Sequence, residues 1–174
     1  GNGQPAIYAE RMDAPGKPVI LVYAHYDVQP ADPLEKWDTP PFEMTERDGK
    51  LFGRGISDDK APMLIALETL AAFVAVEGAL PLNIKLLLEG EEETGSPSLP
   101  GILETHQALL NADAVLSADG ARWRPDLVAL NVGSRGNAGF EVRLQTASQD
   151  LPSGRYGGIV ANPLHVLSTL IAGL

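Results

Sequence analysis

The sequence predicts an α/β fold, a mostly parallel sheet flanked by helices, followed by the start of an α+β unit. Three observations predict it. Val19 to Ala24, Leu82 to Leu88 and Ala112 to Ser117 are short aliphatic runs without alternation, the pattern of strands buried on both faces. Helical patterns lie between them, so strand and helix alternate as in βαβ units. Further on, Phe140, Val142 and Leu144 fall on one face and Glu141, Arg143 and Gln145 on the other, which describes a sheet wet on one side.

In chain order, Ala6 to Met12 reads as a short strand and Asp13-Ala14-Pro15-Gly16 as a turn. The first buried strand ends in His25-Tyr26-Asp27. Gln29 to Pro41 carries four prolines and must be a loop. Phe42 to Phe52 holds Asp48-Gly49 at its middle, the signal of a two-residue hairpin. Gly53-Arg54-Gly55 leads into Ser57-Asp58-Asp59-Lys60. A helix follows: Asp58 or Asp59 can cap it, Pro62 suits its first turn, and Met63 to Val76 is apolar except for Glu68 and Thr69, so it should be buried on most sides. Gly78 ends it. The second strand, Leu82 to Leu88, runs into Glu89-Gly90-Glu91-Glu92-Glu93. Ser98 to Leu110 reads as a helix with Ser98 as its cap, and the third strand ends at Asp119-Gly120. Strands over Leu127 to Val132 and Phe140 to Thr146, and a helix opening at Asn162-Pro163, complete the chain. A domain boundary is placed near residue 133.

Composition limits the function. The 174 residues suffice for one core, or one core and the start of a second. A net charge of −10 argues against nucleic acid or an anionic membrane as partner. Ala61 to Val76 is too short to span a bilayer and contains Glu68. Cysteine is absent, so any metal must be held by His, Asp and Glu. No signal-peptide pattern opens these residues, and a cytoplasmic location is expected. The chain lacks an initiating Met and stops inside a helical pattern, so a piece of a longer protein is expected.

The chemistry concentrates at strand ends. His25 and Asp27, the Glu89–Glu93 group and Asp119 each follow a buried strand, where sites form in open α/β sheets. Asp58 lies where a glycine loop opens a helix. Taken singly these are weak signals: a cap, a turn and an acidic run are commonly solvated. Together they fall at matching positions of a βαβ pattern. One His with several carboxylates suits Zn²⁺, with Mn²⁺ or Co²⁺ as alternatives. There are more carboxylates than one ion needs, which favours two ions sharing a bridging carboxylate with a spare Glu as base. Gly-x-Ser-x-Gly, His-Glu-x-x-His and a phosphate-binding Gly-Lys-Ser/Thr are all missing. His106 and His165 sit within helical patterns and read as ordinary packed or surface residues.

The segments Ala24-His25-Tyr26-Asp27-Val28-Gln29-Pro30, Arg47 to Lys60 and Leu88 to Gly95 resemble the dinuclear zinc peptidases, a family of carnosinase-like dipeptidases, glutamate carboxypeptidases and aminoacylases. The His-Tyr-Asp-Val-Gln-Pro wording is nearest the carnosinase-like branch. The resemblance implies a zinc exopeptidase-like domain over residues 1–133, and over 134–174 the first part of a ferredoxin-like dimerisation ("lid") domain. It implies two Zn²⁺, with His25 and Asp119 on one, Glu93 on the other and Asp58 bridging both. Glu92 becomes the general base, Asp27 the acid orienting His25, and Glu89 and Glu91 supporting or solvated groups. It places a cis peptide at Asp58–Asp59. The implied reaction is hydrolysis of an amide bond in a dipeptide or similar small substrate, by a homodimer in the full-length protein. An N-acyl-amino-acid deacylase and a non-catalytic dimerising homologue are the alternatives on the same scaffold. Two departures stand out. The second zinc draws a His from a region this chain does not contain, so residues 1–174 alone are expected to be inactive. Asp150-Leu151-Pro152-Ser153-Gly154 stands where the family has Asp-Leu-His-Ser-Gly, and Pro152 can neither donate a hydrogen bond nor bind metal.

Overall fold

The computed structural model describes residues 3–120, 123, 124 and 126–174. The chain divides into two compact units, Gly1–Ala129 and Leu130–Leu174.

In the first unit, β1 (Ile7–Arg11), β2 (Val19–His25), β5 (Asn83–Glu89) and β6 (Ala114–Ser117) form one sheet in the order β1-β5-β2-β6. β2 runs parallel to both β5 and β6, and β1 is antiparallel to β5. The register sets Tyr23 beside Leu87 and Ser117, and His25 beside Glu89. Because side chains alternate along a strand, the two sheet faces carry separate cores. Val22, Ala24, Leu86 and Leu88 pack one face against Met63, Ala66 and Leu67 of α1 (Ala61–Glu77). Leu21, Leu87 and Leu110 pack the other against Leu99 and Ile102 of α2 (Leu99–Thr105). The expected single helix over 98–110 breaks at His106, which leaves helical backbone before α3 (Gln107–Leu110). Asp48 and Gly49 both take positive φ, at 51° and 70°, and join β3 (Thr45–Arg47) to β4 (Lys50–Phe52) as the sequence predicts.

Three expectations fail in instructive ways. α1 is apolar all round, yet the sheet covers only one side of it, and Leu64, Ile65 and Val76 are exposed. β6 is an edge strand with all four residues exposed, not a strand buried on both faces. Neither Asp58 nor Asp59 caps α1. The helix is entered through Lys60 from a wide π-type turn, Ile56–Lys60, in which both aspartates are non-helical.

The second unit holds α4 (Ser153–Tyr156) and α5 (Pro163–Ala172). Asn162 caps α5 by accepting from the Leu164 N–H at 2.9 Å. The strands expected over 127–132 and 140–146 do not form, and a ferredoxin-like arrangement is not present among the described residues. A strand persists when a partner takes its backbone groups and one face is buried; here Phe140 is 89% exposed and no ladder partner is described. Pro152 is extended and its carbonyl accepts from Arg155 and Tyr156 at the start of α4. Among the described residues no helix is long and apolar enough to cross a membrane.

Candidate metal centre

Parallel β2 and β5 end in step, and β6 ends two pairings short of them, so the loops beyond all three start from one edge. His25 is the last residue of β2 and is fully buried. Its Nε2 lies 3.1 Å from Asp58 Oδ1, 3.9 Å from Glu92 Oε2 and 4.0 Å from Asp119 Oδ2. On the other side of the ring, Nδ1 is buried and sits 3.3 Å from Asp27 Oδ1, close enough for attraction although not aligned as a hydrogen bond. His25, Asp58 and Asp119 each offer an atom within 4.8 Å of the others, which makes them a candidate metal-binding group. Glu93 is not brought into that group. It stands in the turn beyond β5, beside Gln29.

Asp27 serves two elements at once. Its carboxylate faces His25, and it also accepts from the Glu92 N–H at 3.2 Å and the Glu93 N–H at 3.0 Å. The 3₁₀ turn Glu92–Thr94 is thereby fixed to the loop that follows β2. The four acids of this stretch separate by what they touch. Glu89 is buried and accepts from the Tyr23 hydroxyl and, at 2.9 Å, from Ser96. Glu91 accepts from the Gln4 and Ser98 N–H groups at 2.9 and 3.0 Å, and these bonds, Gln4's foremost, hold its carboxyl below the usual range. Ser98 thus receives a partner at the head of α2 instead of capping it with its own hydroxyl. The Glu92 carboxylate has no hydrogen-bonded partner among the described residues and leans toward His25.

The electrostatics follow from crowding. Burial pushes the Glu92 carboxyl above its ordinary value; His25 opposes this, and Asp119, Glu93 and Asp58 reinforce it. Burial also raises Asp59, a fully buried residue whose Oδ2 accepts from the His25 N–H at 3.1 Å while Oδ1 has no partner. For His25 burial is the largest influence and lowers the pKa, but the Asp58 bond and the charges of Asp59, Glu92 and Asp119 together outweigh it, so the imidazole holds its proton above the ordinary value. Several carboxylates facing one buried imidazole repel one another without a cation among them. The donor set, one imidazole nitrogen with carboxylate oxygens and no sulfur, fits a divalent cation such as Zn²⁺. The Asp27 carboxylate behind the ring is the arrangement that orients a ligating His.

The sequence places His25, Asp27, Asp58, Glu92, Glu93 and Asp119 at one corner, and the structure brings these together except for Glu93, which stands apart beside Gln29. The sequence does not single out Gln29, Tyr23 or Ser96, and it offers Asp59 only as a helix cap. Gln29 stood inside a quoted motif. Tyr23 and Asp59 find their partners in distant elements, and Ser96 reaches back seven residues to Glu89.

An α/β domain with an acidic, His-containing corner at its parallel strand ends defines a class, and comparison with known proteins makes it specific. The chain belongs to peptidase family M20/M25/M40, whose profile matches residues 21–157. It is 39% identical over 172 residues to Beta-Ala-His dipeptidase of Homo sapiens, covering 98% of this chain and 34% of that one. It is 35% identical over 174 residues to the Cys-Gly metallodipeptidase DUG1 of Saccharomyces cerevisiae, with 98% and 36% covered. Among solved structures it resembles human carnosine dipeptidase 1, with a TM-score of 0.62 at 32% identity over 98% of this chain and 36% of the other. It also resembles the M20 family metallo-carboxypeptidase Sso-CP2 of Sulfolobus solfataricus, with a TM-score of 0.63 at 38% identity over 69% and 27%. The chain spans about a third of the length of the curated relatives it matches.

Proposed function

We propose that the full-length protein is a metallopeptidase that hydrolyses the amide bond of a dipeptide or similarly small substrate. The observation that carries this reading is the convergence of Asp58, Glu92 and Asp119 on the Nε2 edge of buried His25. Dipeptidases among the relatives support the substrate class.

In this reading His25 and Asp119 would hold one Zn²⁺, Glu93 would help hold a second, and Asp58 would contribute to both. Such cations, when bound, would supply polarisation of the substrate carbonyl and a lowered pKa for water. Glu92 takes the proton of the attacking water and returns it to the leaving amine. The freedom of its carboxylate from hydrogen bonds among the described residues suits a group that must gain and lose a proton. Asp27 keeps the His25 ring in place and anchors the two N–H groups of the turn that presents Glu92 and Glu93. Residues 1–133 form the first part of the catalytic domain and 134–174 the first part of a dimerisation domain in a cytoplasmic homodimer. The division of the chain between Ala129 and Leu130 supports the two-part organisation.

The test is Glu92→Gln in the full-length protein, assayed on a dipeptide and acyl-amino-acid panel with metal analysis alongside. Turnover should fall about 10²–10⁴-fold, the usual contribution of a general base, while metal content stays at the wild-type value. Retained turnover, or loss of metal with it, removes Glu92 from the role of base. Preference for acyl-amino acids over dipeptides replaces the substrate class.

A further inference from the structure

We propose that Gln29 is a positioning residue for Glu93: its amide grips one oxygen of that carboxylate and leaves the other to bind a cation. This rests on the proposed role of Glu93 as a metal ligand.

Glu92 and Glu93 are neighbours in one short turn, and their backbone N–H groups are anchored by the same Asp27 carboxylate. The backbone therefore does not tell the two acids apart. Their side chains do differ. Gln29 Nε2 donates to Glu93 Oε2 at 2.9 Å and to the Glu93 carbonyl at 3.0 Å. Both partners are acceptors, so only the nitrogen end of the amide can face them, and the orientation of Gln29 is determined. The two bonds close a small ring around Glu93 and restrict its rotamer. Glu92 receives no comparable bond among the described residues. A carboxylate oxygen that accepts a hydrogen bond is a poorer ligand than its free partner, so Glu93 is set up to bind a cation through Oε1 alone. A residue held in this way suits a fixed ligand, and one left free suits a proton carrier. Gln29 thus separates the work of two chemically identical neighbours.

Gln29 is well placed for this. It lies four residues beyond His25, on the loop that also supplies Asp27, so one segment touches the His ligand and both acids of the turn. The residue is exposed and supports no core, so its removal should not disturb the fold.

The experiment is Gln29→Ala and the nearly isosteric Gln29→Met in the full-length protein, titrated with Zn²⁺ against a chelator, with the unfolding midpoint of the metal-free form measured in parallel. Wild type should take up two ions of unequal affinity. Both variants should keep one at wild-type affinity, lose about 10–100-fold at the other, as outer-shell changes typically do, and regain turnover in excess Zn²⁺. Their metal-free midpoints should match wild type. Two ions at unchanged affinity in both variants overturns the role of Gln29 and leaves the peptidase reading standing. Equal weakening at both sites, or a lowered metal-free midpoint in the Met variant, also overturns it, because that is the mark of a general structural role. A wild-type protein that binds a single ion overturns the two-ion reading together with this inference.

Discussion

Replacing Asp27 with Ala tests whether one carboxylate organises both the His25 ring and the acidic turn. The side chain is 17% exposed, so water can replace little of what it does. Two N–H groups, of Glu92 and Glu93, lose their acceptor. A hydrogen bond to a charged group contributes about 1.5–3 kcal/mol. Two would give about 3–6 kcal/mol, and the half-buried turn can recover part through solvent, so about 3 kcal/mol is expected. For a domain of this size that lowers the unfolding midpoint by about 6–12 °C. Zn²⁺ affinity should fall as well, by about 10–100-fold, because the His25 ring loses the group behind it. Asp27→Asn keeps one acceptor oxygen but turns an NH₂ toward an N–H donor, so it should lie between wild type and Ala on both measures. The assays are thermal unfolding of the metal-free protein and chelator-competition titration. An Asp27→Ala protein that keeps both its midpoint and its Zn²⁺ affinity would falsify the claim that this carboxylate joins the two elements.

Two further outcomes follow from the same geometry. The metal-free protein should lose stability as pH rises from the ordinary carboxylate range through neutrality. Glu92 and Asp59 have folded pKa values above their unfolded ones, so the fold favours their protonated forms and pays a growing penalty as they ionise. His25 also has a raised folded pKa, so its contribution is full below its unfolded value of 6.5 and is lost as pH climbs through the folded one. All three have the same sign, and Zn²⁺ opposes them, so the gap between metal-free and Zn²⁺-loaded unfolding midpoints should widen with pH; a gap that narrows contradicts this. Gly90→Ala should destabilise by about 1–3 kcal/mol in urea unfolding. A Cβ at that position overlaps the Tyr26 ring, which its hydroxyl ties to the Pro5 carbonyl at 2.5 Å. A change below about 0.5 kcal/mol would show that the ring yields easily.

The sheet was legible because its strands are aliphatic runs of strand length: Val19 to Ala24 and Leu82 to Leu88 reappear as β2 and β5 within a residue or so. The hairpin at Asp48-Gly49 was legible because two residues in succession must take positive φ there. The site was legible as residue types at strand ends, since parallel strands deliver their ends to one edge. What could not be read was partnership. Nothing local to Glu89 distinguishes it from Glu92, yet one is buried under Tyr23 and Ser96 and the other leans toward His25. The helix-cap reading of Asp58 and Asp59 failed because their acceptor oxygens are used across the chain, on His25, and not on the local backbone. The alternation over 140–146 is real as a pattern, but a pattern alone supplies no neighbouring strand.

The in-step endings of β2 and β5 bear on which changes of length the protein can tolerate. Leu21 and Leu87 are packed on one face, Val22 and Leu86 on the other, and His25 follows from that register two residues beyond Tyr23. Removing or adding one residue in β2 would exchange the faces, since side chains alternate. Either the core keeps its packing and the ligand position passes to Ala24 or Tyr26, or His25 stays and the core turns inside out. Within the loop from Pro30 to Pro41, residues 32–36 are all exposed and lie in no strand, so they have no such constraint, while Arg54 and Arg47 hold Pro30, Asp38 and Pro41 on either side of them. Insertions and deletions accumulated by descent, or introduced by design, should therefore collect in that loop and be absent from the strand beside it.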